Sequence, residues 1–519
     1  VSSQNRIIET FTDFKLLFCC LKRFEDKPLN LAVILSEILT EEKKILDSAS
    51  EAPVRLVLGN RLSYKTASTG PLQDALNRLV LQVVLQQIEN ILNLAQKMVA
   101  SLTDVELPQW KRRQQMACIG APADTSLDHL QKWFTAVAET LLRVREQLQK
   151  LQDQSSKDDG VPGPVAQMTE FTHSLFTKLL ANALVVEKQP FMSSLPQRPL
   201  ILKTLVRFTL KVRFLANLPE CVLQVKLVFI PHFIIILPSL FFLHQSRLVV
   251  TEELHIIKIV TRFQHAGLKF NIEASSLPVV VISGTNQVVS AWASVMWYNV
   301  LSASEPRNLS LFVDPPPLTW QQLSQVLSWQ FGSVGQRELD EHQLSMLRDK
   351  FVGEFLGHDP DDLISWNKFS QKDNHWIWID GILDLIKKHL VDIWRDGSIM
   401  GFVSRERTKV LLQEKQSGTF LLRFSESNKD GAITFSWVDG THVHAVDPYT
   451  KDELLLMSLP NIINHYSLRA QRSAHRNPLI YLYPDIHKDQ AFGRYYGETS
   501  ATKKVMNGYL KRKLLSESE

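Results

Sequence analysis

Apolar residues at Leu81, Val84, Ile88, Ile91, Ala95, Met98, Leu102 and Val105 alternate steps of three and four, as do Leu127, Leu130, Phe134, Val137, Leu141, Val144, Leu148 and Leu151. Each run places one apolar seam along a helix, and Gly120, Ala121 and Pro122 between them predict a turn joining two packed antiparallel helices. A third helix is predicted over 32–46. A fourth is predicted over 165–186, after SSKDDGVPGP, whose Gly and Pro cannot continue a helix. From 200 to 299 the pattern changes to short β-branched runs, LPVVVIS and RLVVTEELHIIKIV, which predict strands of a sandwich or barrel. Eight of the eleven tryptophans fall between Trp292 and Trp394, on segments with helical spacing such as WIWIDGILDLIKKHLVDIW, and predict a compact helical core. Beyond them come a helix over 404–412, a turn at Ser417 and Gly418, strands in TFLLRFSES, 432–438 and 442–446, and a helix over 459–466. This predicts a small antiparallel sheet with helices on either side. From Gly497 the chain is polar and basic and reads as a mobile tail.

A chain of 519 residues is too long for one core. At roughly 100–200 residues per domain it predicts three to five. Apolar residues at 45% and charged residues at 22% fit a folded chain, excluding global disorder and a polytopic membrane protein. A net charge of +4 is too small for binding nucleic acid by charge alone, so any such surface is local. Cys19, Cys20, Cys118 and Cys221 have neither zinc spacing nor the density of a disulfide scaffold, which points to a reducing compartment. The first residues lack the pattern of a secretory signal. One segment, LVFIPHFIIILPSLFFLHQS over 227–246, carries no formal charge and approaches membrane-spanning length. Pro231 and Pro238 interrupt a helix there, and His232 and Ser239 would need partners in lipid, so it reads as a buried or misassembled segment with no membrane insertion.

Strand alternation places Phe420, Leu422 and Phe424 on one face, and Leu421, Arg423 and Ser425 on the other. Arg423 is the anomaly. A guanidinium in an apolar strand needs an anionic partner, and its planar fork suits a phosphate held by two parallel hydrogen bonds. Ser425 can add a hydroxyl, the following turn backbone N–H groups, and Arg405 a second charge. A local carboxylate such as Glu426 is the competing partner. His442 and His444 share a strand face, but no third ligand completes a metal set. There is no phosphate-cradling Gly-rich loop with Lys, no His-Glu zinc motif and no nucleophile elbow, so the chain reads as a non-enzyme without cofactor or metal.

WRDGSIMGFVSRERTKVLLQEKQSGTFLLRFSES resembles the opening of an SH2 domain, a phosphotyrosine-binding module. GTFLLRFSES, AVDPYTKDEL and NPLIYLYPDIHKDQAFGRYY resemble that domain of the signal transducer and activator of transcription (STAT) family. QWKRRQQMACIGAP, QRPLILKT, VTEELH, LPVVVIS, WAS and LSWQF extend the resemblance over about 27–515. It implies a multidomain chain. The parts are an amino-terminal remnant (1–26), an all-α coiled-coil helical bundle (27–186), and an all-β immunoglobulin-like or p53-like DNA-binding domain (187–315, atypical over 222–248). An α-helical linker (316–398), an α+β SH2 domain (399–497) and a phosphotyrosine tail (498–519) follow. By motif position Arg423 matches the phosphate-binding arginine, with Arg405, Ser425, Glu426 and Ser427 around it, and Tyr509 matches the activating tyrosine. The thirteen residues from Tyr496 to Tyr509 span at most about 45 Å, so reciprocal capture by a second subunit is feasible.

The resemblance implies a latent cytoplasmic transcription factor. It further implies phosphorylation by Janus-type kinases in cytokine or interferon signalling, then dimerisation with itself or another STAT, entry into the nucleus and binding of double-stranded DNA. Phosphotyrosine peptides of cytokine receptors and an interferon regulatory factor are its implied further partners. Lys203, Arg207, Lys211, Arg213, Thr251, Glu252 and Asn286 are the DNA-contact candidates. Several departures qualify this. KLVFIPHFIIILPSLFFLHQSRLV stands where the family has further strands and a basic DNA-contacting loop, which suggests a misread splice junction, and Gly284 replaces the Asn of the family's VISN string. EAPVRLVLGNRLSYKTASTG stands where a long helical hairpin would run. The amino-terminal cooperative domain and an acidic transactivation tail are expected to be missing. The competing reading is therefore a phosphotyrosine-dependent adaptor that dimerises but does not bind DNA.

Overall fold

The computed structural model describes residues 70–155, 163–218, 222–230, 234–236, 254–265, 268–302, 315–353, 361–371, 375–469, 476–497, 513 and 515–517. The helix predicted over 32–46, Thr251, Glu252 and Tyr509 lie outside these residues.

Helix α1 (Gly70–Ala100) runs through a π-helical stretch (Ser101–Glu106) into α2 (Leu107–Cys118). Pro108 explains the irregularity, because it has no N–H to give and its ring crowds the carbonyl four residues back. The wider turn rotates the seam. Leu102 stays buried, whereas Val105, placed in the seam by its spacing, is 46% exposed. Helices α3 (Asp128–Ser155) and α4 (Gly163–Ala181) complete the bundle. The fourth helix ends earlier than its predicted limit of 186, because β1 (Leu184–Phe191) takes over, its β-branched Val185 and Val186 pairing with β3 (Thr209–Phe214) after the short β2 (Ile201–Lys203).

Strands β4 (Val222–Ile230), β5 (Ile234–Ile236), β6 (Leu254–His265), β7 (Leu268–Ser275) and β8 (Val279–Ile282) form a sheet in the order β2-β8-β6-β4-β5, with β7 also on β6. The beginning of the atypical stretch, Val222–Ile230, is a strand that pairs in unbroken antiparallel register with β6. Among the described residues no helix is long and apolar enough to cross a membrane.

The tryptophan-rich region is helical as predicted. It comprises α5 (Val288–Leu301), β9 (Leu318–Thr319), α6 (Trp320–Gly335), α7 (Glu341–Val352), β10 (Leu363–Ile364), α8 (His375–Leu385) and α9 (Val391–Arg395). The carboxy-terminal unit holds α10 (Arg405–Gln413), β11 (Thr419–Phe424), β12 (Ala432–Asp439), β13 (His442–Ala445), β14 (Tyr449–Thr450), α11 (Lys451–Leu456), α12 (Leu459–His465) and β15 (Ser467–Arg469). Then come β16 (Tyr481–Leu482), β17 (Ile486–His487), α13 (Lys488–Phe492) and β18 (Leu515–Glu517). Its central sheet has the order β13-β12-β11-β16-β17, with β14 on β12. It is mixed rather than wholly antiparallel, because β16 joins β11 in parallel. The tail also departs from expectation: β18 pairs in parallel with β15 instead of leaving the surface.

The cores cross the domain boundaries. One buried cluster joins the bundle to the β region through Leu179, Ile259, Phe263 and Ile272, and another joins the β region, the tryptophan helices and β11. Buried amides tie the seams: Gln114 Nε2 donates to Val186 O (2.6 Å), Gln189 Nε2 to Gln114 Oε1 (2.8 Å), and Gln330 Nε2 to Ile119 O (2.6 Å). At a further seam, a Cβ on Gly381 of α8 would stand 2.5 Å from the carbonyl carbon of Asp430. Backbone meets backbone there, so nothing can yield cheaply. Gly381→Ala should cost about 1–3 kcal/mol and lower Tm, whereas Gly163→Ala, with nothing within 4 Å of its Cβ, should be neutral or slightly stabilising. Calorimetric scans of the two variants check this.

Candidate phosphate-binding site

Strand β11 is buried from end to end, between β12 on one side and β16 on the other. Phe420, Leu422 and Phe424 join the large core, while Leu421 packs with Val403, Leu412 and Val438 beneath α10. Arg423 lies on that second face. It is 3% exposed, its Nη1 stands 3.9 Å from Glu426 Oε1, and its Nε is buried without a hydrogen-bond partner among the described residues. Nη1 also makes a long contact, 3.5 Å, to Phe424 O. Burial pulls the guanidinium below its ordinary value; Glu426 opposes that and the like charge of Arg405 adds to it.

The surroundings supply donors. The Ser425 and Ser427 hydroxyls lie 3.1 Å apart, and exposed Arg405 opens α10 behind Ser404, whose hydroxyl caps the helix by accepting from Arg407 N. All five residues read from the sequence as one group therefore occur around the same strand end. Two participants went unread. Lys350 at the end of α7 pairs with Glu426 at 3.1 Å and lies 4.9 Å from the Trp378 ring centroid, and Trp378 Nε1 donates to Ser425 O at 2.8 Å. Their only signal is position near the ends of apolar helical runs, which does not reveal a neighbour 76 residues away.

Gly401, at φ 86°, brings a second backbone alongside β11: Phe424 N donates to Gly401 O at 2.9 Å and Met400 N to Leu422 O at 3.0 Å. A Cβ there would meet Gln343 Nε2 at 2.8 Å and Trp394 at 3.0 Å. Aromatic contacts continue inward, from Phe424 to Trp394 at 5.5 Å and to Phe402 at 5.1 Å, and from Phe402 to Trp378 at 5.3 Å. The strand that carries the arginine is thus seated on the tryptophan helices.

The other candidates separate into two places. Lys203 pairs in register with Ile282, so the turns bearing exposed Arg207 and exposed Asn286 leave the same end of the sheet. Asn286 Oδ1 lies 2.5 Å from where a Cβ on Gly284 would stand. Lys211 and Arg213 sit on β3 instead, paired with Glu187 at 2.9 and 2.7 Å, and Arg213 also with Asp128 at 2.9 Å. His444 stacks on Trp437 at 4.3 Å between centroids, and among the described residues no group of three or more metal-ligating side chains occurs.

Family models match four parts of the chain: "STAT transcription factor, coiled-coil domain" at 64–180, "STAT protein, DNA binding domain" at 242–282, "Signal transducer and activator of transcription, linker domain" at 305–379, and "SH2 domain" at 399–472. Signal transducer and activator of transcription 4 from Mus musculus is 36% identical over 589 residues, covering 91% of this chain and 78% of the relative. The Homo sapiens protein of that name is 36% identical over 588 residues, with the same coverage. The chain belongs to the signal transducer and activator of transcription family.

As a STAT it is a signal transducer and transcription activator with an SH2 domain, and its relatives are transcription factors rather than enzymes. Four strings, QLSMLRDK, GFVSRER, SGTF and YLKRKL, look most like member 2 of the family and HAVDPYTKDEL more like member 1, whereas these two relatives are member 4. Family membership therefore rests on the whole chain rather than on those strings. A chain of the "Crystal Structure of STAT2 in complex with IRF9" matches 34% of this chain, covering 96% of that one, at 22% identity and a TM-score of 0.18, too low to bear on the fold.

The charge cluster in this STAT makes a direct prediction. Glu426 is the carboxylate shared by Arg423 and Lys350. Glu426→Gln should lower stability in low salt by about 1 kcal/mol, and it should enlarge the Tm rise produced by inorganic phosphate, because the freed cations bind the anion more tightly. Thermal scans across a phosphate series measure both. A phosphate response equal to that of the wild type would contradict this role for Glu426.

Proposed function

We propose that this STAT is a latent cytoplasmic factor switched on by phosphorylation of Tyr509, with Arg423 as the residue that captures the phosphotyrosine. The observation that carries the proposal is the buried Arg423 guanidinium, whose Nε has no hydrogen-bond partner among the described residues and whose ion pair with Glu426 is long, at 3.9 Å, with Glu406 a further carboxylate acting on it. A phosphotyrosine brings a charge of about −1.5 to −2 and three acceptor oxygens, enough to satisfy the fork and the hydroxyls of Ser425 and Ser427 together. Arg405 adds long-range attraction, and Glu426 holds the arginine until the phosphate displaces it. A Janus-type kinase acting at a cytokine or interferon receptor supplies the phosphate. Two chains then exchange tails, each pocket raising the effective concentration of the other, and the dimer enters the nucleus.

DNA contact is proposed for the end of the sheet that carries Lys203, Arg207 and Asn286, with Thr251 and Glu252 by family position. Asn286 stands beside Gly284 and can present the amide that the family's VISN string carries one position earlier than Thr285. The second reading, a dimer that does not bind DNA, is favoured by one observation: the ion pairs of Lys211 and Arg213 turn two of the basic candidates toward Glu187 and Asp128. Anisotropy of labelled duplex DNA with the phosphorylated chain separates the two. Binding that weakens in Lys203→Ala and Arg207→Ala and falls with salt supports the first reading.

Arg423→Ala should abolish binding of a phosphorylated tail peptide, a loss of about 2–5 kcal/mol, and Arg423→Lys should recover only part, since a point charge cannot replace the fork. Isothermal titration against the whole chain measures this; unchanged affinity in the alanine variant overturns the assignment. Tyr509→Phe should keep the protein monomeric after kinase treatment while hardly moving Tm. Light scattering before and after phosphorylation reads the outcome. A dimer that forms equally well in the Phe variant would mean that assembly uses another surface.

A further inference from the structure

The carboxylate that competes with phosphate for Arg423 is itself held from outside the SH2 domain. Glu426 offers two oxygens. Its Oε2 accepts from Lys350 Nζ at 3.1 Å, a hydrogen-bonded ion pair, whereas its Oε1 stands 3.9 Å from Arg423 Nη1, beyond hydrogen-bond reach. On distance alone the lysine pair is stronger by about a quarter. The carboxylate therefore leans toward the linker and away from the guanidinium. Glu426 is 30% and Lys350 27% exposed, so burial does not lock the pair, and Glu426 is free to change partner.

Lys350 is held in place by the linker core. It lies in the last turn of α7 between Leu347 and Phe351, both fully buried, and Phe351 packs edge-on to His375 at 5.1 Å and beside Trp320 at 6.2 Å. The other end of α7 is tied by Gln343 Nε2, which donates to Met400 O at 2.6 Å. A cation also suits the carboxy-terminal end of a helix. The ammonium rests 4.9 Å from the Trp378 ring centroid, and Trp378 Nε1 donates to Ser425 O at 2.8 Å. One indole thus carries both the lysine and the backbone next to Glu426. With α7 and α8 fixed, the Glu426 side chain is the part that chooses between two cations.

We propose that Lys350 is a positioning residue for the phosphotyrosine pocket: by holding Glu426 it keeps Arg423 from closing on a carboxylate of its own chain and leaves the guanidinium open to phosphate. The inference deepens the proposed function and rests on Arg423 as the phosphotyrosine-binding residue. When Lys350 is neutral, Glu426 turns to Arg423, and a bidentate carboxylate–guanidinium pair occupies the fork that phosphate needs. Phosphate must then break that pair before it binds. A charge change made in the linker is in this way read as an affinity change in the SH2 domain.

The test uses the full chain with Lys350→Met, which keeps the stem over Trp378 without the charge, and with Lys350→Arg, which keeps the charge. A tail peptide phosphorylated at Tyr509 should bind Lys350→Met about tenfold more weakly than wild type, and Lys350→Arg within about twofold of it. In the free chain, the Arg423 guanidinium N–H signals in nitrogen-15 NMR should move downfield in Lys350→Met and stay in place in Lys350→Arg. Glu426→Gln separates this role from direct contact of Lys350 with phosphate. With no carboxylate to release, adding Lys350→Met to Glu426→Gln should cost no more than about threefold, the remaining long-range attraction. A loss that stays tenfold in that background overturns the proposal in favour of direct contact. Equal affinity of wild type and Lys350→Met overturns it too, as do Arg423 signals unmoved in the free Lys350→Met chain. The NMR comparison needs no ligand and so distinguishes this inference from the Arg423 reading. Signals that move while no phosphopeptide binds even the wild type would leave Lys350 holding Glu426 but overturn its part in phosphate capture.

Discussion

A guanidinium held out of water on a strand covered on both faces is the constraint around which this structure is arranged. Burying a charge is costly, and Glu426 at 3.9 Å repays only part of that cost. The strand must therefore be held by other means. Hydrogen bonds from β12, the second backbone at Gly401, and the Phe424, Trp394, Phe402 and Trp378 contacts do so. Stability drawn from this aromatic core keeps Arg423 in place with its Nε unpaired among the described residues, which suits the capture of a dianion proposed for it.

The same contacts make the domains interdependent. Lys350 and Trp378 come from the helical linker yet reach the loop that bears Ser425 and Glu426. Gln330 reaches from the linker to the bundle at Ile119, and Gln114 and Gln189 join the bundle to the β region. Buried amides of this kind must be satisfied as a set, so a shift at one seam is felt at the next. Arg423 is thus joined to the linker through Glu426 and Lys350.

Much of this was legible where periodicity and a chemical anomaly coincided. The two seams of the bundle, the tryptophan core and the alternation around Arg423 follow from side-chain spacing alone. Features set by contacts between distant residues were not legible. The strand at Val222–Ile230 was obscured by an apolar run that fits several structures, and its pairing with β6 decides among them. The β-branched Val185 and Val186 continue the helical spacing of α4 but are recruited by β3. Val105 keeps the seam spacing but loses the seam, because Pro108 forces a wider turn before it. The basic tail read as solvated because its partners, Pro448 and Glu453, lie some sixty residues earlier. Composition marks a charge run; it does not show which acceptors the fold brings to it.

The central claim is that the Arg423 guanidinium is kept underbonded for a phosphotyrosine. Nitrogen-15 NMR of the arginine Nε–H groups tests it most directly, with the Arg423 signal assigned by its loss in Arg423→Lys. Addition of a tail peptide phosphorylated at Tyr509 should move the Arg423 Nε–H signal strongly downfield and slow its exchange with water, while the unphosphorylated peptide leaves it in place. An Arg423 signal indifferent to the phosphopeptide, with binding nonetheless observed, would contradict the account.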